Sequence, residues 1–389
     1  MDTILESAIK ICSESELSFC KFISPNDCGL TGAHQCGIYI PKQSYKLLFD
    51  EPGIKGTNRE RSIKIKWQDK FYTESRFKYY GKKTRNEYRI TKFGRGFPYL
   101  KDKHLGDLFI ICKKSEDFYV AYMLESEKDI NNFLSNFNLS PVDTNSIIKI
   151  NHSIYNIDID IIIKGYISSL TVDFPSTQEI SDEAQNILFK FMKKGTLMVK
   201  NPDSILIELI SMEYKIFKAI ENDRYKYILT KPFNSIQDFI TCANTLLNRR
   251  KSRAGKSLEH HLKTIFIAND LRFTEQAITE QNKKPDFIFP GQEEYHNLDF
   301  DNDKLISLAA KTTCKDRWRQ ILNEADRIRI KHLVTLQQGI SSNQLNEMRE
   351  NNVILVVPAP YIKTYPKEFQ DKIMSLKDFI EYAKKISAL

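Results

Sequence analysis

Residues 284–290, KPDFIFP, and 304–313, KLISLAAKTT, decide the fold of this chain. The first is a short apolar run opened by Pro285-Asp286, and the second is a longer one that closes on Ala309-Ala310-Lys311. Apolar runs of this length, bounded by Pro, Asp and Lys, are strand signals. Two strands are therefore predicted, with Asp286 at the head of one and Lys311 at the tail of the next, 25 positions later. Further on, HLVTLQQ (332–338) and VILVVP (353–358) read as strands. Helical patterns at Asp316–Arg329, Ser342–Glu350 and Leu376–Ser387 are interleaved with them. Alternation of this kind indicates an α/β unit, a central mixed sheet flanked by helices.

Upstream of that unit, Glu183–Lys194, Pro202–Asn222, Ser235–Arg249 and about Gly255–Ala268 have helical patterns. Before them, from about Ser18 to Gly165, the chain is strand-like. CGIYIP, RSIKIKW, EYRIT, DLFIICKK, DFYVAYML and DIDIIIK alternate or are rich in β-branched and aromatic residues, with one helical interlude around Ser126–Phe137. The expected organisation is a mostly β domain over 1–172, a polar linker over 173–183 (DFPSTQEISDE) and an α/β domain over 184–389.

The 389 residues suffice for two such domains with cores of their own. No stretch approaches a bilayer span, and even the apolar run around Ile157–Ile163 is interrupted by Asp158 and Asp160. MDTILESAIK has no signal-peptide pattern, so a cytoplasmic protein is expected. Cys12, Cys20, Cys28 and Cys36 recur every eight residues, but no CxxC pair accompanies them, and reduced thiols are the expectation.

Net charge is +8, and its distribution says more than its sum. Between Lys55 and Lys103 there are 16 Lys or Arg against 5 Asp or Glu, interleaved with aromatics such as Tyr72, Phe77, Tyr80 and Phe97. A second basic cluster is Arg249, Arg250, Lys251, Arg253 and Lys256. Two separated basic surfaces favour nucleic acid as partner. Phosphate-loop chemistry is excluded, because AGKSLE lacks the required glycine at position 250, so no nucleotide cofactor is expected. No GxSxG or HExxH motif occurs, and Glu259-His260-His261 places neighbouring side chains in different directions on a helix. Gly94-Arg95-Gly96 is too short to carry meaning alone.

One constellation remains. Asp286 and Lys311 on neighbouring strand ends resemble the PD-(D/E)xK nuclease core, although Ala309 stands where that core has its second acid. Glu324, thirteen residues past Lys311, offers a replacement. The runs KPDFIFPGQEEYHN, LAAKTTCKDRWRQILNEADRI, LVTLQQGIS and VILVVP resemble the catalytic domain of EcoRII-type restriction endonucleases, in which the second acid is displaced in this way. TGAHQCGIYIPK and TRNEYRITKFGRGFP resemble the N-terminal DNA-binding pseudobarrel of the same enzymes, a fold shared with a class of plant transcription factors.

The resemblance implies roles for individual residues. Asp286 and Glu324 would hold Mg²⁺, and Lys311 would orient water or stabilise the developing charge. Glu259 is a further candidate acid, and Tyr295 matches a family tyrosine whose role reads as structural or phosphate-contacting. Lys315-Asp316-Arg317 matches a short recognition motif for flanking C·G pairs, and Arg317 and Glu324, seven apart, are expected on one helix face. Lys stands at 315 where the motif more often has Arg, so a planar fork is lost. In the N-terminal domain two loops are implied as DNA readers. One holds Asn26, Asp27, Thr31, His34 and Gln35; around the other lie Arg76, Lys78, Asn86, Glu87, Arg89, Lys92 and Arg95.

The function so implied is Mg²⁺-dependent cleavage of double-stranded DNA at a short palindrome with outer CC and GG pairs, CCWGG- or CCNGG-like. A homodimer through the catalytic domains is implied, with the N-terminal domain binding a second copy of the site as effector and masking the cleft. Two alternatives stand beside it. A DNA-binding protein with a silent nuclease fold would lack the metal acids. A repair or structure-specific nuclease would not need a Lys315-Asp316-Arg317 reader.

Overall fold

The computed structural model describes residues 3–31, 36–148 and 157–388, and its strands form two sheets. The N-terminal sheet is built from β1 (Ser18–Phe22), β2 (Ile38–Ile40), β3 (Asn58–Trp67), β4 (Phe71–Tyr80), β5 (Glu87–Thr91), β6 (Leu108–Lys113), β7 (Phe118–Leu124) and β8 (Ser146–Ile148). Their order is β2-β5-β4-β3-β7-β6-β1-β8, antiparallel throughout except for the β3–β7 pair. In β3 the alternation reads directly as Ile63, Ile65 and Trp67 inward, Ser62 and Lys64 outward. β4 is less legible, since its inward face begins with Thr73 and Ser75. They bond to one another at 2.8 Å, and Thr73 takes the Trp67 indole N–H at 2.9 Å. One side of the sheet buries Trp67, Phe77, Tyr79 and Tyr119. The other is covered by α1 (Ile4–Glu14) and α2 (Glu127–Asn136) through Ala8, Cys12, Ile130 and Phe133. Cys12 and Cys20 are buried in that layer, and Cys36 is at the surface.

The second part contains α3 (Ile157–Ser169), α4 (Thr177–Asn186), α5 (Leu197–Lys200), α6 (Pro202–Tyr225) and α7 (Ile236–Ala268), then β9 (Thr274–Glu275), β10 (Phe287–Phe289) and α8 (Gln292–His296). It closes with β11 (Ile306–Lys311), β12 (Lys331–Thr335), α9 (Ser342–Glu350), β13 (Val353–Val356), α10 (Ala359–Ile362) and α11 (Leu376–Ala388). The strand order β13-β12-β11-β10-β9 is mixed, with β11, β12 and β13 parallel and β10 antiparallel to both neighbours. Helices α6, α7 and α11 cover one face through Ile205, Leu209, Leu262, Phe266 and Phe379. Trp318, Leu345 and Met348 pack on the other.

Three expectations are corrected here. DIDIIIK is helical, because Ile159, Ile162, Ile163, Tyr166 and Ile167 recur at helical spacing and pack against the C-terminal core. This helix precedes the expected boundary near residue 172 yet contributes to the second core, and within the expected linker Ser176 caps α4 with a capping box through Glu179. The helices expected at Ser235–Arg249 and Gly255–Ala268 are one continuous 33-residue helix, α7. The helix expected over Asp316–Arg329 is a 3₁₀ segment, Arg317–Asn323, after which Glu324 is extended and Ala325 has φ 51°. Trp318 and Ile321 enter one core while Ala325 and Ile328 enter another, so the chain must turn between them. Arg317 and Glu324 therefore do not share a helix face.

The two parts meet along a polar seam. Gln337 donates to the Gly106 carbonyl at 3.1 Å, and the Ser342 hydroxyl donates to Asp102 at 2.6 Å. Gly106 (φ 81°) and Gly339 (φ 112°) touch backbone to backbone, and a Cβ on Gly106 would collide with the Gly339 carbonyl oxygen.

Candidate active site

Asp286 lies just ahead of β10 and Lys311 ends β11, and the antiparallel register brings them together. The Lys311 ammonium donates to Asp286 Oδ2 at 2.9 Å, and the Ala310 amide donates to the same oxygen at 2.7 Å. Gln276 donates to Oδ1 at 3.1 Å, a partner that no sequence signal marked. Ala309, in the position of the absent acid, packs with Trp318 and Leu333.

Two more carboxylates face this pair. Glu259 comes from α7, and its pKa is raised by burial and by the nearby charge of Asp286. Glu324 is half-buried past the 3₁₀ segment. Burial and Asp286 push its pKa up, while Lys311 acts in the opposite sense. Like charges gathered in a cleft disfavour the ionised forms, and a cation placed among them offsets that. Tyr295 stands apart. It is buried on α8, where its hydroxyl donates to Glu280 at 2.6 Å, and burial followed by that carboxylate raises its pKa.

The cleft is covered by α2. A cavity of about 460 Å³ remains between Asn131, Leu134 and Ser135 on one side and Glu259, Lys311 and Arg317 on the other. The residues that were expected to read bases are held by the N-terminal part. Lys315, 8% exposed, points its ammonium at Asp107 and at the Glu125 carbonyl, the latter at 2.7 Å. Arg317 Nε donates to Glu127 Oε1 at 2.6 Å, and the Asp316 amide donates to Glu127 Oε2, also at 2.6 Å. In return the Asp316 carboxylate accepts the Glu127 amide at 2.9 Å, at the positive end of α2. Burial raises the Glu127 pKa, but the Asp316 amide and the Arg317 guanidinium outweigh it and the net shift is downward. Asp107 is shifted upward by burial, with His104 and Lys315 opposing. His104, Asp107 and Glu125 form the one group of three metal-capable side chains with ligand atoms within 4.8 Å among the described residues, and Lys315 supplies the cationic charge there.

The second basic cluster is similarly engaged. Arg250 pairs with Glu221 and reaches the Asn136 carbonyl of α2, and Arg253 is buried against Tyr214 with its guanidinium 3.6 Å from the ring centroid.

The N-terminal candidates divide into bracing and exposed groups. Asp27 is fully buried, accepting from Lys21 at 2.8 Å and from the Tyr39 amide at 2.7 Å. Arg89 is buried and ties Asn26 to the Gly37 carbonyl, with Glu87 alongside. Arg76 and Lys78 share Glu60, and Asn86 accepts from the Tyr79 hydroxyl. Thr31, Lys92 and Arg95 are exposed. Lys92 and Arg95 ride on a base in which Phe93 and Phe97 stack on one another and meet Trp67 edge-on. His34 and Gln35 lie outside the described residues.

Residues 12–145 match the family profile "Restriction endonuclease EcoRII, N-terminal", and residues 217–380 match "EcoRII C terminal". Against the type II restriction enzyme EcoRII of Escherichia coli the chain is 37% identical over 392 residues, covering 96% of this chain and 95% of that one. The chain is a type II restriction endonuclease of the EcoRII family. A more distant relative is the type II restriction enzyme SsoII of Shigella sonnei, 24% identical over 50% of this chain and 72% of that one. Among solved structures, metal-depleted Ecl18kI in complex with uncleaved DNA aligns at 21% identity over 59% of this chain and 84% of that one, TM-score 0.46. The complex of PspGI with substrate DNA aligns at 18% identity over 55% and 94%, TM-score 0.44.

Proposed function

We propose that this EcoRII-family enzyme hydrolyses phosphodiester bonds of double-stranded DNA with Mg²⁺, at a short palindrome whose outer pairs are CC and GG, CCWGG- or CCNGG-like. The observation that carries the reading is the Asp286–Lys311 pair on adjoining strand ends, with Glu259 and Glu324 close enough to feel Asp286. An all-oxygen donor set of part-buried carboxylates suits a hard divalent ion, which needs only one or two of them beside water and phosphate oxygens. Asp286 and Glu324 would hold it, with Glu259 as a further acid. When bound, such an ion would lower the pKa of a water and neutralise charge at the phosphate. Lys311 is placed to orient the attacking water or to stabilise the extra negative charge of the pentacovalent phosphate. Lys315 and Arg317 donate to guanine O6 and N7 and Asp316 accepts from cytosine N4.

The N-terminal part is read as a DNA-binding pseudobarrel that engages another copy of the site through the loops that include Thr31, Lys92 and Arg95, and that restrains cleavage when it has not done so. Support comes from the contacts of Asp107, Glu125 and Glu127 with the whole Lys315-Asp316-Arg317 triplet. Carboxylates and a carbonyl stand where a guanine edge would accept, and an amide stands where a cytosine would donate. A palindrome calls for a two-fold dimer. Tyr227, Leu229, Ile236 and Phe239, exposed around the α6–α7 connection, support a seam through the catalytic domains. The enzyme is read as acting in the cytoplasm, and no described helix is long and apolar enough to cross a membrane.

The test is digestion of long, sequenced, unmethylated DNA with Mg²⁺, beside Asp286→Ala. Discrete ends mapping to one palindrome, absent with the variant, are expected. A smear would replace this reading with a structure-specific nuclease, and binding without cutting on site-dense DNA would leave a silent nuclease fold.

A further inference from the structure

The turn that presents Glu324 is held by groups that the reaction itself does not use. Among the described residues no hydrogen bond or ion pair engages the Glu324 carboxylate, so its place is set from its backbone. That backbone is irregular. Glu324 is extended (φ −94°, ψ 143°), and Ala325 follows in the left-handed region at φ 51°, a conformation that residues with a Cβ seldom adopt.

Four polar groups of this turn each have a partner from another element. The buried Lys331 ammonium donates to the carbonyls of both Glu324 and Ala325. The Asp326 amide donates to Glu280 Oε2 at 3.1 Å, and the Arg327 amide donates to the Tyr295 hydroxyl at 3.4 Å. Tyr295 and Glu280 are themselves joined by the 2.6 Å hydrogen bond from the phenol. Ala325 is buried beneath them with Ile288 and Ile328. Lys331 opens β12, where it is paired in register with Ser307 of β11, the strand that ends in Lys311. The second carboxylate and the catalytic lysine are thereby referred to one pair of strands.

We propose that Lys331, Glu280 and Tyr295 form a clamp that positions Glu324 for metal binding, making them positioning residues rather than catalytic ones. The inference rests on Glu324 being a metal ligand, and it assigns Tyr295 a purpose that leaves its hydroxyl no part in bond breaking. Outer partners that orient a metal ligand typically govern affinity by about 10- to 100-fold.

The test uses the full chain and a plasmid that it cuts, comparing Lys331→Met, Lys331→Arg, Tyr295→Phe and Glu324→Gln. Cleavage is followed as a function of Mg²⁺ concentration and Mn²⁺ binding is measured directly by electron paramagnetic resonance, where the same weakening is expected, with metal-free DNA binding and thermal melting as folding controls. Lys331→Met is expected to need about tenfold more Mg²⁺ for half-maximal cleavage, and Tyr295→Phe about threefold more, with the rate recovering at high Mg²⁺. Lys331→Arg keeps the cation and is expected to recover part of the loss. Unchanged Mg²⁺ dependence in Lys331→Met, with Glu324→Gln inactive, overturns the clamp and leaves the metal assignment standing. Wild-type cleavage by Glu324→Gln overturns the assignment, and the clamp with it. If Lys331→Met does not fold, Tyr295→Phe decides alone, since it removes a single hydroxyl, and wild-type metal dependence in it refutes the proposal.

Discussion

Lys311–Asp286 and Lys315–Asp107 are two lysine–aspartate pairs whose lysines are four residues apart, and they are built for opposite fates. The first joins the ends of adjoining strands within one sheet, so the pairing of β10 with β11 fixes it. The second reaches across the seam to the N-terminal part, where Asp107 is also held by His104 at 2.7 Å. On the proposed function, breaking the first would disorder the phosphate site, whereas breaking the second would free Lys315 to read a base. Similar chemistry at nearly the same place in the sequence thus joins strands of one sheet in one case and ties two parts of the chain together in the other, which is why only the second is proposed as a restraint.

Removing an acid from the strand-end pair and one from the seam should therefore move cleavage in opposite directions. Asp286→Asn is expected to lower the single-turnover rate by about a thousandfold, in the range seen when a preorganised electrostatic partner is removed, with DNA binding retained. A variant that still cuts would remove the pair from the chemistry. Glu127→Ala strips the seam of the carboxylate that holds Arg317 and the Asp316 amide, and should speed cleavage of DNA carrying one site by about tenfold, a modest population shift. An unchanged rate would mean that the seam imposes no restraint.

A pH profile sharpens the contrast from the side of the cleft. Glu259 and Glu324 both have pKa values raised above the ordinary 4.5 by burial and then by Asp286. Raised values mean that their protons persist to higher pH than on a free glutamate, and metal binding must displace them. At limiting Mg²⁺ the rate should fall as pH is lowered, starting above the pH at which a free glutamate takes up its proton, and excess Mg²⁺ should carry that limb to lower pH. A limb indifferent to Mg²⁺ would assign it to other groups. The smallest effect is expected at the far loop: Lys92→Ala or Arg95→Ala should weaken binding of effector DNA a few-fold and reduce the salt slope by about one each, while leaving Mg²⁺ dependence alone.

The sequence made the Asp286–Lys311 pair legible because two regular apolar strands carry it, and strand ends are predictable when their interiors are. Glu324 was found as a residue but not as a geometry, since the chain between Arg317 and Ile328 answers to two cores and cannot stay helical. DIDIIIK misled because alternating Ile and Asp imitates a strand when its true period is helical. Glu127 was visible only as the start of a helix, for its partners lie some 190 residues away and nothing local marks it. The basic cluster at 249–256 overstated the surface open to DNA, because Arg250 and Arg253 turn inward to acids and aromatic rings.

The glycine contact at 106 and 339 gives the seam a further property. Neither position tolerates a side chain without displacing main chain from the opposing half, since a methyl on Gly106 meets the Gly339 carbonyl and one on Gly339 crowds the Ile23 carbonyl at 3.2 Å. The smallest possible change, one methyl group, therefore acts as a wedge in the seam, next to the Asp107 that holds Lys315. If the seam restrains cleavage as proposed, the balance between a silent and a working enzyme is open to tuning at that point without altering the residues proposed to read DNA, so vigilance and specificity are free to vary separately.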